Sequence, residues 1–198
     1  MKILAIDTST ALSSIALVDS GTVISMAGHT DARGHVEAIG TLFTQLDLDL
    51  NSLPDLIACG VGPGPYTGLR VGIAFAQGLS AAWSVPVVGV CSLDAVANAI
   101  IREGRVAPGN EFIAATDARR KEYYWAKFSG SGKRVSGPNV DLTPVVVGLA
   151  IDMGIALVTE VLPHAIDIAA CALRGEHRGV TPMYLREADA KPSVPVQL

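Results

Sequence analysis

The sequence predicts an α/β protein: a mixed β-sheet flanked by helices, followed by a second, smaller lobe of the same class. Three features lead to this prediction. Short apolar runs separated by turn residues open the chain, which is typical of an antiparallel meander. Strand-like and helix-like segments then alternate, as they do in α/β units. A chain of 198 residues, 49% of them hydrophobic, is also long enough to bury a sizeable core.

The predicted meander occupies the first 27 residues. Ile3–Ile6, Leu12–Val18 and Thr22–Ala27 are strand-like runs. Thr8–Thr10 and Asp19–Gly21 separate them with residues that favour turns. We therefore expect three antiparallel strands joined by two tight connections.

The next predicted element is a helix over about Gly34–Asp47, with Thr30 or Asp31 as its N-terminal cap. Its apolar residues recur at helical spacing: Val36, Ile39, Leu42, Phe43 and Leu46. A buried strand is predicted to follow over Asp55–Val61.

A loop rich in glycine and proline, Gly60–Gly68, separates that strand from a helix predicted over about Leu69–Trp83. Pro86–Val90 is a further apolar strand. Ser92–Ile101 is a further helix, and Ser92 is its expected N-cap. These segments complete a first lobe with a mixed sheet.

Glu103–Asn110 combines glycine, proline and charge, and it is the best candidate for a boundary between lobes. We place the lobes at residues 1–106 and 107–198. The second lobe is predicted to contain strands, helices and a hairpin at Gly130–Gly132. Its other elements are Phe112–Thr116, Tyr123–Phe128, Pro144–Ala150, Ile155–Val158 and Ala165–Leu173. The tail after Arg186 contains prolines and is expected to be mobile.

Composition and charge limit the class of protein. Only 17% of the residues are charged, against about 25% in an average soluble domain. Fifteen Lys and Arg against 19 Asp and Glu give a net charge of −4, so no broad basic surface for nucleic acid is expected. The uncharged stretch 71–93 contains Pro86, which ends any helix there and leaves it too short to span a membrane.

The first residues of the chain and its cysteines favour a cytoplasmic protein. The opening apolar run stops at Asp7, which does not fit a signal peptide. Cys59, Cys91 and Cys171 are odd in number and form no CxxC pair, so we expect buried, reduced thiols.

The first segment that could carry chemistry is Asp7-Thr8-Ser9-Thr10, which lies between two predicted strands. Its hydroxyls and backbone N–H groups would cradle a phosphate, while the aspartate would hold a metal-bound water. An ordinary polar turn is the alternative interpretation.

The second segment is the loop GPGPYTGLR, over residues 62–70. Its prolines restrict φ, and its glycines allow close backbone approach. Because the loop opens a helix, its N–H groups would face an anion; a rigid structural turn is the alternative. It matches neither the Walker A loop nor the dinucleotide-binding fingerprint. Its motif residues are Gly62, Gly64, Thr67, Gly68 and Arg70.

The helix after this loop is apolar nearly all round. Gly72, Ala76 and Ser80 lie four apart and form a narrow face of small residues, with Phe75 and Leu79 on an adjoining face. Either the chain covers this helix on both sides, or the outer face contacts a partner. Because a chain of this length has little material left to cover it, we expect partner contact.

Catalytic and metal-binding signatures are absent from the sequence. The four histidines are not paired at metal-binding spacing, and neither HExxH nor GxSxG occurs. We expect His35 to be half-exposed at the start of a helix. Arg119 and Arg120 lie in a charged turn, which is either a solvated hairpin tip or a contact for phosphate or an acidic partner.

Four segments together resemble the TsaB family: ILAIDTST at the start, GPGPYTGLR, Ala115–Phe128 (ATDARRKEYYWAKF) and Pro182–Arg186 (PMYLR). The resemblance runs from Met1 to about Arg186. It implies a reduced actin-like fold (ASKHA, ribonuclease H-like) with two lobes. It also implies a non-catalytic subunit in bacterial tRNA threonylcarbamoyladenosine synthesis, which modifies the adenosine beside the anticodon of tRNAs reading ANN codons.

The resemblance also implies partners. The chain would form a heterodimer with the metal-bearing paralogue TsaD and recruit the ATPase TsaE, and tRNA would be contacted through the complex. Arg119 and Arg120 are candidate contacts for tRNA or a partner. The TsaD interface would use the two helices Gly34–Asp47 and Leu69–Trp83, which would form a homodimer when the partner is absent. Its candidate residues are Val36, Ile39, Phe43, Gly72, Phe75, Ala76, Leu79 and Ser80.

The resemblance implies that catalytic residues, metal and cofactor are all missing from this chain. The paralogue carries an HxxxH metal pair where this sequence has about Ser92 and Val96, and these two side chains cannot replace two imidazole ligands. Asp7–Thr10 would then be a vestigial phosphate loop. A nucleotide-binding transferase of the actin-like superfamily is the alternative function, and a metallopeptidase is a more distant one.

Overall fold

The computed structural model describes residues 1–31, 34–49 and 51–186, so the tail predicted to be mobile lies outside the described residues. The described residues form nine strands and five helices. The strands are β1 (Lys2–Asp7), β2 (Leu12–Asp19), β3 (Thr22–Thr30), β4 (Leu56–Gly60), β5 (Val87–Val90), β6 (Gly109–Asp117), β7 (Glu122–Gly130), β8 (Arg134–Leu142) and β9 (Ala156–Val158). The helices are α1 (His35–Thr44), α2 (Tyr66–Trp83), α3 (Ser92–Arg102), α4 (Thr143–Met153) and α5 (Ala165–Leu173).

The first sheet has the strand order β3-β2-β1-β4-β5. β1, β2 and β3 form the predicted antiparallel meander, whereas β4 and β5 run parallel to β1. The mixed sheet predicted from the sequence is therefore confirmed. Because β1 lies in the centre, Ile6 pairs with both Ile15 and Cys59, and the carboxyl ends of β1 and β4 meet at one edge.

Helices cover both faces of this sheet. Leu4 and Ile6 of β1 face a core shared with α1 and α2, whereas Ile3 and Ala5 face a core shared with α5. Strand side chains alternate between faces, so a strand covered on both faces must be apolar at every position. This requirement explains the unbroken apolar run that begins the sequence.

The second sheet has the order β8-β7-β6-β9, with β9 parallel to β6 and the other pairs antiparallel. Helix α3 covers one face, where Val96 and Ile100 pack with the stacked rings of Phe112 and Phe128, 5.6 Å apart. Helix α4 covers the other face through Val146. Each sheet is thus mixed and flanked by helices, as predicted.

Helix α5 follows the second sheet in the chain but packs against the first. Its Ile168 lies in the core that contains Ile3 and Ala5, and the N–H of Ala165 donates a hydrogen bond of 2.9 Å to the hydroxyl of Ser14. The strands of the two sheets separate between β5 and β6. The lobe boundary after residue 106 stays a prediction.

Two helices have N-caps other than those predicted, and one helix starts earlier than predicted. Helix α1 begins after Gly34 without a side-chain cap, so neither Thr30, the last residue of β3, nor Asp31 caps it. Helix α2 begins three residues earlier than predicted, because the N–H of Leu69 bonds to the carbonyl of Pro65 and closes a first turn inside the predicted loop. Helix α3 has Cys91 rather than Ser92 at the N-cap.

The surplus of apolar residues reaches the surface away from α2. Val23, Ile24 and Met26 of β3 are exposed, as are four large residues of α4: Val145, Val147, Ile151 and Met153. Helix α2 instead exposes small residues at Ala74, Gly78 and Ala81. The large exposed apolar side chains named here therefore lie on β3 and α4, whereas α2 exposes small ones.

Two further predictions concern membrane-spanning helices and the cysteines. No helix among the described residues is long and apolar enough to cross a membrane. The three cysteines are buried and carry free thiols, as predicted.

Candidate functional site

Asp7 ends β1 at the edge where the predicted phosphate-binding hairpin begins. Its carboxylate is fully buried, with 0% exposure. One oxygen accepts hydrogen bonds from the N–H of Ser9 (2.9 Å) and the hydroxyl of Ser9 (2.8 Å), and the other accepts one from the hydroxyl of Ser92 (3.1 Å). Burial raises the pKa of Asp7 from 3.8 to about 6, against the opposing effect of these hydrogen bonds.

The loop and the helix that follow β4 cover this hairpin. Thr8 and Ser9 are both buried. A Cβ atom at Gly64 would overlap the carbonyl oxygen of Ser9, one at Gly68 the carbonyl oxygen of Thr8, and one at Gly72 the hydroxyl of Thr8. These three glycines therefore let the backbone of the loop and of α2 lie directly on the hairpin.

The polar groups that would cradle a phosphate are engaged within the chain. The N–H and hydroxyl of Ser9 both bond to Asp7, and the hydroxyl of Thr8 donates to the carbonyl of Gly68 over 2.7 Å. Thr10 alone of the four hairpin residues is half-exposed. It lines a cavity of about 430 Å³ together with Arg119.

His35 also lines this cavity, but it does not have the half-exposed position expected from the sequence. The side chain is buried, and its Nδ1 lies 2.8 Å from the hydroxyl of Ser13 on β2. Burial lowers the pKa of His35, so the neutral form is favoured. The first residue of α1 thus packs on the sheet instead of facing solvent.

Ser92 and Val96 occupy the two positions at which the resemblance places a metal pair in the paralogue. Ser92 is buried, and its hydroxyl donates to Asp7 while accepting from the N–H of Gly62 at 3.2 Å. Val96 lies inside the core between α3 and the second sheet. Among residues 1–31, 34–49 and 51–186, no group of three His, Cys, Asp or Glu side chains is placed to hold a metal.

The motif segments converge at the first turns of α2. The rings of Tyr66 and Tyr184 stack with centroids 4.3 Å apart. The hydroxyl of Tyr66 donates to the carbonyl of Arg186 (2.9 Å), and the Nε of Arg70 donates to the hydroxyl of Tyr184 (2.9 Å). The guanidinium of Arg70 also lies 5.8 Å from the centroid of each ring. GPGPYTGLR and PMYLR, more than 100 residues apart, therefore form one surface.

The third motif segment joins this surface through an ion pair. Glu122, at the start of β7, forms a salt bridge with Arg186, whose guanidinium also lies 5.9 Å from the ring centroid of Tyr124. Reasoning from residue types alone singled out neither Tyr66 nor Tyr184. The one signal available in the sequence was that all three segments resemble the same family. That resemblance does not predict that the segments contact one another.

The charged turn between β6 and β7 has a left-handed backbone. Arg119, Arg120 and Lys121 have φ angles of 60°, 55° and 61°, a region that non-glycine residues adopt at a cost of roughly 1–2 kcal/mol each. The N–H of Arg119 donates to the carboxylate of Asp117 over 2.7 Å. Arg119 lines two neighbouring cavities, of about 430 and 370 Å³, beside Pro65, whereas Arg120 is exposed at the tip.

The predicted interface residues do not share one surface. Ile39, Gly72 and Ala76 are buried against the chain's own sheet, which corrects their assignment to an exposed face. Val36 is 61% exposed. The others are half-buried: Phe43, Phe75, Leu79 and Ser80. Phe43 contacts Phe75 and Trp83 with ring centroids 5.5 and 6.0 Å apart, so these rings mainly join α1 to α2.

The two helix-flanked mixed sheets and the hairpin between β1 and β2 define an actin-like α/β protein, as predicted. Two solved structures from Pseudomonas aeruginosa have this fold. One is described as YeaZ and the other as an uncharacterised protein with similarity to peptidase YeaZ; the TM-scores are 0.71 and 0.75. Both are 28% identical in sequence, and each match covers 93% of this chain and 99% of the other.

Sequence comparison gives the family. The family model described as TsaD, tRNA N6-adenosine threonylcarbamoyltransferase, matches residues 21–183. An uncharacterised protein of Mycobacterium leprae is 35% identical over 96% of this chain and 56% of its own length. The tRNA threonylcarbamoyladenosine biosynthesis protein TsaB of Escherichia coli is 38% identical over 65% of this chain. The chain belongs to the TsaB family.

The lengths of the relatives differ. The matched part is about half of the E. coli protein, 55%, and 56% of the M. leprae protein. A Mycobacterium tuberculosis relative, 34% identical, is matched over 94% of its length.

Proposed function

We propose that this chain is a non-catalytic subunit in the synthesis of threonylcarbamoyladenosine in tRNA. It would act by pairing with a TsaD-type transferase and by presenting the surface to which a TsaE-type ATPase binds. The modified residue would be the adenosine beside the anticodon in tRNAs reading ANN codons. Support comes from the biosynthetic role for which the E. coli and Haemophilus influenzae relatives are named.

The burial of the hairpin at Asp7 is the main support for the proposal that this chain is non-catalytic. Phosphate binding in a hairpin of this kind needs free N–H groups and an accessible carboxylate for a metal-bound water. Here Asp7 is buried with 0% exposure, and Gly64, Gly68 and Gly72 lie against Thr8 and Ser9. A triphosphate could reach these groups only if the loop and the start of α2 moved away.

The positions of Ser92 and Val96 support the same conclusion. A transferase that uses a bound metal needs two nitrogen donors at these places, by the resemblance to the paralogue. Instead, the hydroxyl of Ser92 is hydrogen-bonded to Asp7 and Gly62, and Val96 is an apolar core residue. Any metal for threonylcarbamoyl transfer would therefore come from the partner.

The outer surface of α1 and α2 is the proposed docking face for the TsaD-type partner. Gly40 on α1 and Ala74, Gly78 and Ala81 on α2 are exposed and small, so a partner helix can approach the backbone closely. This face replaces the deeper residues Ile39, Gly72 and Ala76 as the proposed contact.

Reconstitution tests the function. The TsaD-type and TsaE-type proteins of the same cell, tRNA and the threonylcarbamoyl donor are combined with and without this chain, and modified adenosine is measured by mass spectrometry. We expect modification only when this chain is present. Full modification by the TsaD-type protein without it would contradict the proposal.

A pair of matched variants tests the docking face. Gly78→Arg on α2 and Gly148→Arg on α4 each place an arginine in open space, because nothing lies within 4 Å of a Cβ at either position. We expect Gly78→Arg to abolish co-purification with the TsaD-type protein, and Gly148→Arg to leave it intact. Equal co-purification of both variants would exclude this face.

Binding of Mg²⁺–ATP to the isolated chain tests the alternative, a nucleotide-binding transferase. Calorimetry is expected to show no binding in the micromolar range. Micromolar binding with turnover, lost in Asp7→Asn, would favour the alternative over a scaffold.

A further inference from the structure

Another cavity, lined by no residue of the motif segments, lies where three parts of the chain meet. It has a volume of about 290 Å³. Its walls come from the start of α3, the turn between β7 and β8, and the segment that follows α5. The charged side chains on its walls are Asp94, Lys133, Arg134, Glu176 and Arg178.

Each carboxylate at this cavity already has an arginine. Asp94 lies 3.2 Å from the Nε of Arg134. Glu176 receives two hydrogen bonds from Arg174, of 3.1 and 2.9 Å. Each of the two acidic groups thus has one arginine within ion-pair distance, and the charge of Arg178 also acts on Asp94.

Two cations then remain, Lys133 and Arg178. Within the described part of the chain, neither side chain has an ion pair or a side-chain hydrogen bond. The imidazole of His177 also lies on the cavity wall. In a chain with a net charge of −4, the two cations are a local excess of positive charge around a concave surface.

The backbone beneath these two cations is fixed. Arg178 forms an isolated bridge with Gly89, with hydrogen bonds of 2.8 and 2.9 Å in the two directions. The N–H of Lys133 donates to the hydroxyl of Ser129 over 3.2 Å. Hydrogen bonds therefore hold the backbone of both residues in place, so that binding a ligand requires only the two side chains to become ordered.

We propose that this cavity binds a phosphate group, held by Arg178 and Lys133 across the cavity. A guanidinium can donate two parallel hydrogen bonds to phosphate oxygens, and an ammonium adds a point charge. The volume of about 290 Å³ suits one phosphate with a small attached group rather than a nucleoside triphosphate. The site does not rest on the proposed role in tRNA modification, and it is separate from the hairpin at Asp7.

Calorimetry with inorganic phosphate, against sodium chloride at equal ionic strength, tests the site. Wild-type protein is expected to bind phosphate, and Arg178→Gln and Lys133→Gln to bind at least about tenfold more weakly, because each removes a charge-assisted hydrogen bond. Arg105→Gln is the matched control, since it removes the same charge from an exposed arginine that lies 3.8 Å from Glu160. The control is expected to bind phosphate like the wild type.

A second arm identifies the source of the phosphate. An RNA anticodon stem-loop is titrated into the same four proteins, with inorganic phosphate as competitor. If the group belongs to an RNA backbone, Arg178→Gln weakens RNA binding and phosphate competes with RNA; if it is a free phosphate, RNA binding is equal in all four proteins. The proposal is overturned if wild-type protein binds no phosphate at millimolar concentration, or if wild type and Arg178→Gln bind it equally.

Discussion

The hydroxyl of Ser92 donates a hydrogen bond to the buried carboxylate of Asp7 over 3.1 Å. The same hydroxyl accepts a hydrogen bond from the N–H of Gly62. One side chain thereby joins the end of β1, the loop after β4 and the start of α3. Ser92 therefore holds three segments of the chain together.

Replacing Ser92 with alanine tests this structural role. Ser92→Ala leaves one oxygen of Asp7 and the N–H of Gly62 without this partner in a buried place. We expect the free energy of unfolding to fall by about 1–3 kcal/mol. Urea denaturation measures it, and Ser136→Ala on the exposed face of β8 is the control, expected to change stability by less than about 0.5 kcal/mol.

Asp7 makes stability depend on pH. Because burial raises its pKa from 3.8 to about 6, the folded state binds this proton more tightly than the unfolded state. The cost of ionising Asp7 is absent near pH 4, grows as pH rises and is complete above about pH 6. Asp7→Asn removes that cost, so the variant should be more stable than wild type at pH 8 by up to about 3 kcal/mol.

The measurement is urea denaturation of wild type and Asp7→Asn from pH 4 to pH 8. The difference in unfolding free energy should shrink as pH falls. Asp152→Asn, an exposed position on α4, should follow the wild-type profile. A constant difference between wild type and Asp7→Asn across this range would contradict the raised pKa.

Two glycines of α2 should respond in opposite ways to the same substitution. Gly68→Ala puts a methyl group onto the carbonyl of Thr8, whereas Gly78→Ala puts one into open space. We expect Gly68→Ala to destabilise the protein by more than about 1 kcal/mol, because well-packed sites resist added volume. Gly78→Ala should stabilise it by up to about 1 kcal/mol through helix propensity alone. Melting temperatures of the two variants, relative to wild type, check both signs.

The hydrogen bond from Tyr66 to the carbonyl of Arg186 should hold the PMYLR segment in place. Tyr66→Phe is expected to lower stability by about 0.5–1.5 kcal/mol. Hydrogen exchange of the Met183 amide, which donates to the carbonyl of Val61 over 2.7 Å, should become faster. Tyr123→Phe keeps every contact between these segments and is the control. Unchanged exchange at Met183 in Tyr66→Phe would show that other contacts suffice.

Local sequence patterns predicted most of the elements because the signals are short-range. Alternation, turn residues and helical spacing placed β1, β2, β3 and α5 correctly. They failed at the N-caps of α1 and α3, since Ser, Thr and Asp near the start of a helix are interpreted as caps. Ser92 is the clearest case. Serine is suited to the N-cap position, but the hydroxyl of Ser92 donates its hydrogen bond to the carboxylate of Asp7, 85 positions earlier in the chain.

The candidate site was only partly predictable. The residues of the hairpin and of GPGPYTGLR stood out by type, but their residue types were compatible both with a phosphate-binding site and with a structural turn. The structure favours the turn, since the loop lies on the hairpin and buries it. The stack of Tyr66 on Tyr184 has no local signal, because the two rings lie in separate segments that meet only in the folded chain.

By itself, the sequence determined the α/β class, the meander, the order of most elements and the family, because these depend on local pattern and on motifs within single segments. Tertiary structure alone decided which surfaces are free. It buried Ile39 and Ala76 against the chain's own sheet, and left the small residues of α2 and the large ones of β3 and α4 outside. The physical reason is that a residue's burial depends on neighbours from distant segments, and those neighbours are fixed only when the two sheets and five helices pack.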